Sequence, residues 1–175
     1  MKVLIVSDSH GYREELQQVK ERHQHEVERM IHCGDCELTA DAKEMAGFVV
    51  VKGNMDYAAP DLPTEAIELI GDACFYITHG HLLNVKESLV SLTYRTEETG
   101  AEVACFGHSH VAHCFETNGT IYINPGSLRL PRERTEKTYV LCDIDDQYIT
   151  VHYLTLETGE EVTDLQRQFP RKANV

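Results

Sequence analysis

The chain has 175 residues, and its 29 acidic side chains outnumber 16 basic ones to leave a formal net charge of −13. Its 42% hydrophobic and 26% charged content is that of a globular domain large enough to bury a core, and no apolar run approaches the roughly 20 residues of a membrane-spanning helix. Acidity on this scale argues against duplex nucleic acid as a partner: no Lys/Arg cluster offsets the repulsion, and Arg132-Glu133-Arg134 alternates in sign.

The first elements alternate in type. Residues 2–7 read as a strand, 12–23 as an amphipathic helix carrying Leu16 and Val19, and 29–33 as a second strand. A short helix over 41–45 and a β-branched strand over 47–52 complete a βαβαβ run, which implies a parallel sheet. Pro60 and Pro63 mark an irregular connector. Strands at 65–70 and 73–78 flank Gly71-Asp72 as a hairpin, residues 84–99 form a helix closing at Gly100, and 103–106 is a buried strand.

Two further hairpins follow: 112–116 with 120–124 around Asn118-Gly119, and 138–144 with 148–154 around Asp145-Asp146-Gln147. Parallel α/β structure first and antiparallel structure later are both accommodated by two packed sheets with helices outside. Residues 1–165 are expected to form one domain and 166–175 a loosely held tail.

Side chains that bind divalent metals recur at the ends of these strands. They are Asp8 and His10, Asp35 after Gly34, Asn54 after Gly53, His79, and His108 and His110 in Gly107-His108-Ser109-His110. Each has an ordinary alternative: Asp8 as a helix cap, Gly-Asp and Gly-Asn as turns, His79 as a core residue. Five successive strand ends with ligand chemistry favour one shared site. Two Asp, one Asn and four His exceed a tetrahedral zinc shell and suit two ions of higher coordination.

The ordered set Asp8-Ser9-His10, Gly34-Asp35, Gly53-Asn54-Met55-Asp56, His79 and Gly107-His108-Ser109-His110 resembles the signature of the calcineurin-like metallophosphoesterases. Thr78-His79-Gly80-His81 and Ile123-Asn124-Pro125-Gly126-Ser127 look like the small bacterial and archaeal phosphodiesterase branch, related to the eukaryotic retromer subunit. The resemblance implies a four-layer α/β/β/α sandwich. It also implies one metal on Asp8, His10, Asp35 and His110 and another on Asp35, Asn54, His79 and His108, with Asp35 bridging.

The implied reaction is hydrolysis of a small phosphodiester by a metal-bridging hydroxide, with Asp35 and Asn54 in the catalytic centre. Mn²⁺ is the favoured ion, with Zn²⁺, Fe²⁺ or Ni²⁺ as alternatives. Many members have a histidine after the metal-binding Asn. Met55 stands there and transfers no proton, which makes His81 the candidate for phosphate contact or proton donation. The loops 57–64 and 128–136 are expected to frame the cleft.

Residues 1–8 lack a signal-peptide pattern, and six cysteines then read as reduced thiols of a cytoplasmic protein. A strand edge or the C-terminus leaves room for a homodimer. Three rivals remain at this level: a redox protein using Cys33-Gly34-Asp35-Cys36, a non-catalytic scaffold like the retromer subunit, and a phosphomonoesterase. A structural zinc site lacks a second C-x-x-C to supply its thiolates.

Overall fold

The structure, a computed structural model, describes residues 1–171. Its strands are β1 (Lys2–Val6), β2 (Arg29–His32), β3 (Phe48–Val50), β4 (Glu65–Ile70), β5 (Ala73–Thr78), β6 (Val103–Cys105), β7 (His113–Thr117), β8 (Thr120–Asn124), β9 (Thr138–Ile144), β10 (Tyr148–Thr155) and β11 (Arg167–Pro170). Helices α1 (Arg13–His23) and α2 (Val90–Thr99) lie between strands. One six-stranded sheet runs β11-β10-β9-β1-β2-β3 and a five-stranded sheet runs β4-β5-β6-β8-β7. The pairs β1–β2, β2–β3, β5–β6 and β6–β8 are parallel and the rest antiparallel, so both sheets are mixed.

Alternation along the strands builds the layers. In β1, Val3 and Ile5 enter a core shared with Phe75 and Ile77 of β5 and Val103 and Cys105 of β6, which packs the sheets face to face. Leu4 and Val6 point the other way, onto Leu16 and Val19 of α1. On the far side, Tyr76, Ala104 and Tyr122 pack against Leu92 of α2. The result is the expected α/β/β/α sandwich. Helix α1 buries Leu16, Val19, Lys20 and His23, a stripe at helical spacing, with Glu14 and Glu15 in its first turn and Lys20, Arg22 and His23 in its last.

The short helix expected over 41–45 is a single 3₁₀ turn at Lys43–Met45, and two larger differences from the sequence expectation follow. The helix expected from residue 84 begins at Val90, because Asn84 takes a left-handed backbone (φ 53°) after a 3₁₀ turn at His81–Leu83. Ser88 Oγ then accepts the Val90 N–H at 3.2 Å. The stretch from residue 166, expected to be loosely held, contains β11, which pairs with β10. Arg171 beyond it binds Glu102 through two nitrogens, both at 2.9 Å. Residues 172–175 lie outside the described residues. No described helix is long and apolar enough to cross a membrane.

Candidate metal centre

The parallel strands β1, β2, β3, β5 and β6 deliver their following loops to one edge of the sandwich, where α/β sheets place their ligands. Backbone bonds tie these loops together. Asp8 N–H donates to Gly34 O (3.0 Å), His10 N–H to Asp35 O (2.9 Å) and Gly107 N–H to His79 O (3.1 Å). Of nine described non-glycine residues with positive φ, five are Asp8, His10, Asp35, His108 and His110. Each such conformation costs on the order of 1 kcal/mol or more, and its concentration here marks a site held against strain.

Seven predicted ligand positions meet at this edge as two adjacent groups. Asp8, His10 and His110 form one triad and Asp35, His79 and His108 the other, with ligand atoms inside each within 4.8 Å of one another. Asn54 joins the second, its Oδ1 3.1 Å from His79 Nε2. Asp35 Oδ2 stands 3.3 Å from His79 Nε2 and 4.0 Å from His10 Nε2, so one carboxylate reaches both groups.

The donor chemistry fits divalent cations. His79 Nδ1 donates to Cys33 O at 2.8 Å and His110 Nδ1 to Leu130 O at 2.7 Å. A carbonyl can only accept, so the proton of each neutral ring sits on Nδ1 and the Nε2 lone pair faces the site. Asp8 Oδ2 is saturated by Ser7 Oγ (2.6 Å) and the His108 N–H (3.1 Å). Its Oδ1 is buried without a hydrogen bond, although His110 Nε2 lies 3.1 Å away. Lone pairs converging on common points in this way call for positive charge between them.

The titration behaviour agrees. Burial opposes ionisation of Asp35, but His79, by hydrogen bond and charge, outweighs it and holds the carboxyl down to about 2. Burial likewise opposes protonation of His79 and His110, and the carboxylates of Asp35 and Asp8 outweigh it, raising both. His108 is pushed down to about 4, first by burial and then by His79.

His81 flanks the second triad, its ring centroid 5.3 Å from that of His79 and 6.1 Å from that of His108. Its buried Nδ1 has no hydrogen-bond partner. Burial, followed by His79, lowers its pKa. Of the two loops expected to frame the cleft, 128–136 supplies Leu130 O to His110 and lines a neighbouring cavity with Arg132 and Glu133. The other, 57–64, contributes Leu62 to a separate cavity of about 160 Å³ beside Cys36 and Phe48. The Cys33 and Cys36 thiols are buried, and burial pushes Cys33 well up and Cys36 up to about 12, the opposite of a redox-active thiol.

The roles of two supporting residues escaped the sequence reading because their partners lie on other loops. Buried Asp56 accepts from Asp35 N and Gly53 N through Oδ2 (2.8 and 2.7 Å) and from Glu37 N through Oδ1 (2.8 Å). Its sequence signal was its place in the Gly53-Asn54-Met55-Asp56 segment, which assigned it no role of its own. An amide at this position turns its NH₂ toward a donor whichever way it flips. Asp56→Asn is therefore expected to lose about 1–3 kcal/mol of stability in urea titration. Displaced ligand loops should also weaken metal binding by about 10–100-fold in calorimetry.

His32 plays a similar part. Gly34 N–H donates to its Nδ1 at 3.1 Å, so its Nε2–H donates to Ser9 Oγ at 2.9 Å. Burial lowers its pKa from 6.5 to about 4. Below pH 6.5 the unfolded chain takes up a proton that the folded ring refuses, so this contribution to stability falls with pH until about 4, by at most about 3 kcal/mol. The stability difference between wild type and His32→Asn, measured by urea titration, is expected to change across that window. Taking the difference separates His32 from His79 and His110, whose raised values act in the opposite sense.

The comparisons with known proteins agree with this geometry. A model of the calcineurin-like phosphoesterase superfamily domain matches residues 1–147, which include every ligand loop. Probable metallophosphoesterase YsnB of Bacillus subtilis (strain 168) is 45% identical over 168 residues, spanning 96% of this chain and 98% of that protein. A conserved uncharacterized protein from Streptococcus pneumoniae TIGR4, a predicted phosphoesterase, superposes with a TM-score of 0.93 at 33% identity over 97% of both chains. Vps29 of Chaetomium thermophilum superposes with a TM-score of 0.74 at 20% identity, covering 97% of this chain and 95% of that one, and shows the shared fold alone. With the fold, the paired triads and the matched span in agreement, the chain belongs to the calcineurin-like phosphoesterase superfamily.

Proposed function

We propose that the protein is a two-metal phosphodiesterase acting on a small phosphodiester. The observation that carries the reading is the adjacency of two Asp/His triads with Asp35 reaching both. Asp8, His10, Asp35 and His110 would hold one ion, and Asp35, Asn54, His79 and His108 the other. Ligands of oxygen and nitrogen without thiolate support Mn²⁺ as the favoured ion, ahead of Zn²⁺, Fe²⁺ and Ni²⁺. Two such ions, when bound, supply charge for the phosphoryl oxygens and lower the pKa of a water for in-line attack.

The chain's own residues do the positioning. The Nδ1–H bonds of His79 and His110 to carbonyls aim both Nε2 atoms, and Ser7 with the His108 N–H aims Asp8 Oδ1. In this reading phosphate contact or proton donation falls to His81, whose ring lies 5.3 Å from that of His79, since Met55, 37% exposed, transfers no proton. The net charge of −13 supports a small ester over duplex nucleic acid. Six free thiols support a cytoplasmic setting. A homodimer belongs to the same reading, with sedimentation as its measure.

The test is hydrolysis of bis-p-nitrophenyl phosphate by metal-stripped protein with Mn²⁺ added back, beside p-nitrophenyl phosphate to separate diesterase from monoesterase. Turnover that depends on metal and favours the diester supports the reading. Stoichiometric binding of Mn²⁺, Zn²⁺, Fe²⁺ or Ni²⁺ without turnover overturns it in favour of a scaffold.

A further inference from the structure

A cavity of about 540 Å³ adjoins the ligand loops, within the roughly 300–1,000 Å³ range of small-molecule sites. It includes Ser109, which lies between His108 and His110, and Arg132, whose backbone N–H donates to His110 O at 3.0 Å. Val85 and Phe106 give it apolar walls, and His113 lines it while stacked on Phe115 (5.3 Å between centroids, 28° between planes).

Its charges are unusual for this protein. Acidic side chains are in large excess, and nearly every described Lys and Arg side chain has a hydrogen bond or ion pair. The exceptions are Lys43, Lys86 and Arg132, and Lys86 and Arg132 line this one cavity. Glu133 lines it too, leaving the wall with one net positive charge. Two exposed cations left without partners beside a phosphoesterase centre are available to an anion brought by the substrate.

We propose that this cavity is the subsite for the part of the substrate beyond the reacting phosphorus, and that it selects diesters bearing a planar apolar group and a second anionic group. Val85, Phe106 and His113 take the planar group, and Lys86 and Arg132 take the anion. The inference rests on the phosphodiesterase reading and narrows its substrate class.

The experiment compares thymidine 3′,5′-bisphosphate with thymidine 5′-monophosphate by calorimetry on Mn²⁺-loaded protein, and in parallel the 5′-p-nitrophenyl esters of both. The bisphosphate is expected to bind about tenfold tighter, the size of one charge-assisted hydrogen bond, with KM of the esters following the same order. Lys86→Ala and Arg132→Ala should each erode that advantage, in calorimetric affinity and in KM alike. Lys43→Ala, an unpaired cation on another surface, should have no effect. An advantage that is absent, or that survives both substitutions, overturns the subsite whether or not the esters are hydrolysed. If the advantage depends on Lys86 and Arg132 but neither ester turns over, the subsite stands as a binding site and the hydrolase reading falls.

Discussion

Asp35→Asn is expected to bind fewer than two metal ions per chain and to lower metal-dependent turnover by more than about a hundredfold, beyond the 10–100-fold cost of losing an outer-shell partner. Asp35 Oδ2 is the atom that reaches a nitrogen of each triad, at 3.3 Å from His79 Nε2 and 4.0 Å from His10 Nε2. Its other oxygen accepts the Met55 N–H at 2.8 Å, a bond that an asparagine oxygen preserves. The substitution therefore removes one negative charge and one ligand atom while leaving the loop anchored. Metal content by mass spectrometry and turnover of bis-p-nitrophenyl phosphate measure the loss, and thermal melting of the stripped protein separates it from unfolding. A variant that retains two ions and full turnover would show that Asp35 does not join the two groups.

Gly107→Ala is expected to cost about 1–3 kcal/mol of stability, the range for overpacking a close-packed site, and to weaken metal binding as well. A Cβ at Gly107 would collide with Ser7 Oγ and lie 2.7 Å from Asp8 Oδ2. Those two oxygens are hydrogen-bonded to each other, and that bond aims Asp8 Oδ1 at the histidines. Gly107 does not have a positive φ, so the penalty is steric and local rather than conformational. Removing the obstructing oxygen tests this cause. In Gly107→Ala/Ser7→Ala the nearest Ser7 atom becomes its Cβ, at 3.2 Å, so stability should recover more than metal affinity, because Asp8 still lacks its serine donor. Urea titration and calorimetry read the two effects apart, and equal recovery of both would show that the Ser7 bond does not orient Asp8.

The two substitutions probe different levels of one design. Asp35 would contribute ligand chemistry, which its residue type announces. Gly107 contributes an absence of volume, whose importance depends on Ser7, 100 positions away. The left-handed backbones of Asp8, Asp35, His108 and His110 belong to the second kind. They persist because Asp56, His32 and Ser127 bond the loops from outside, Ser127 Oγ donating to Asp8 O at 2.7 Å.

The amino-acid sequence makes the parallel opening, the hairpins and all seven ligand candidates legible, because these are local. Apolar runs mark the strands, Gly-Asp and Asn-Gly mark the turns, and ligand residue types sit at the strand ends. It also carries the family resemblance that the 1–147 match bears out. Tertiary structure decided which face each residue of Lys2–Val6 takes, since Val3, Leu4, Ile5 and Val6 are all apolar and show no period of two. It moved the start of α2 to Val90, where a left-handed Asn84 breaks a pattern that periodicity alone continues. It placed Arg167–Pro170 in a strand through backbone bonds to β10, with little apolar signal to announce it. It also assigned Asp56, His32 and Lys86 their surroundings. Those residues act on backbone groups, ligand loops and empty space supplied by distant parts of the chain, and pairings of that kind exist only once the two sheets have closed on each other.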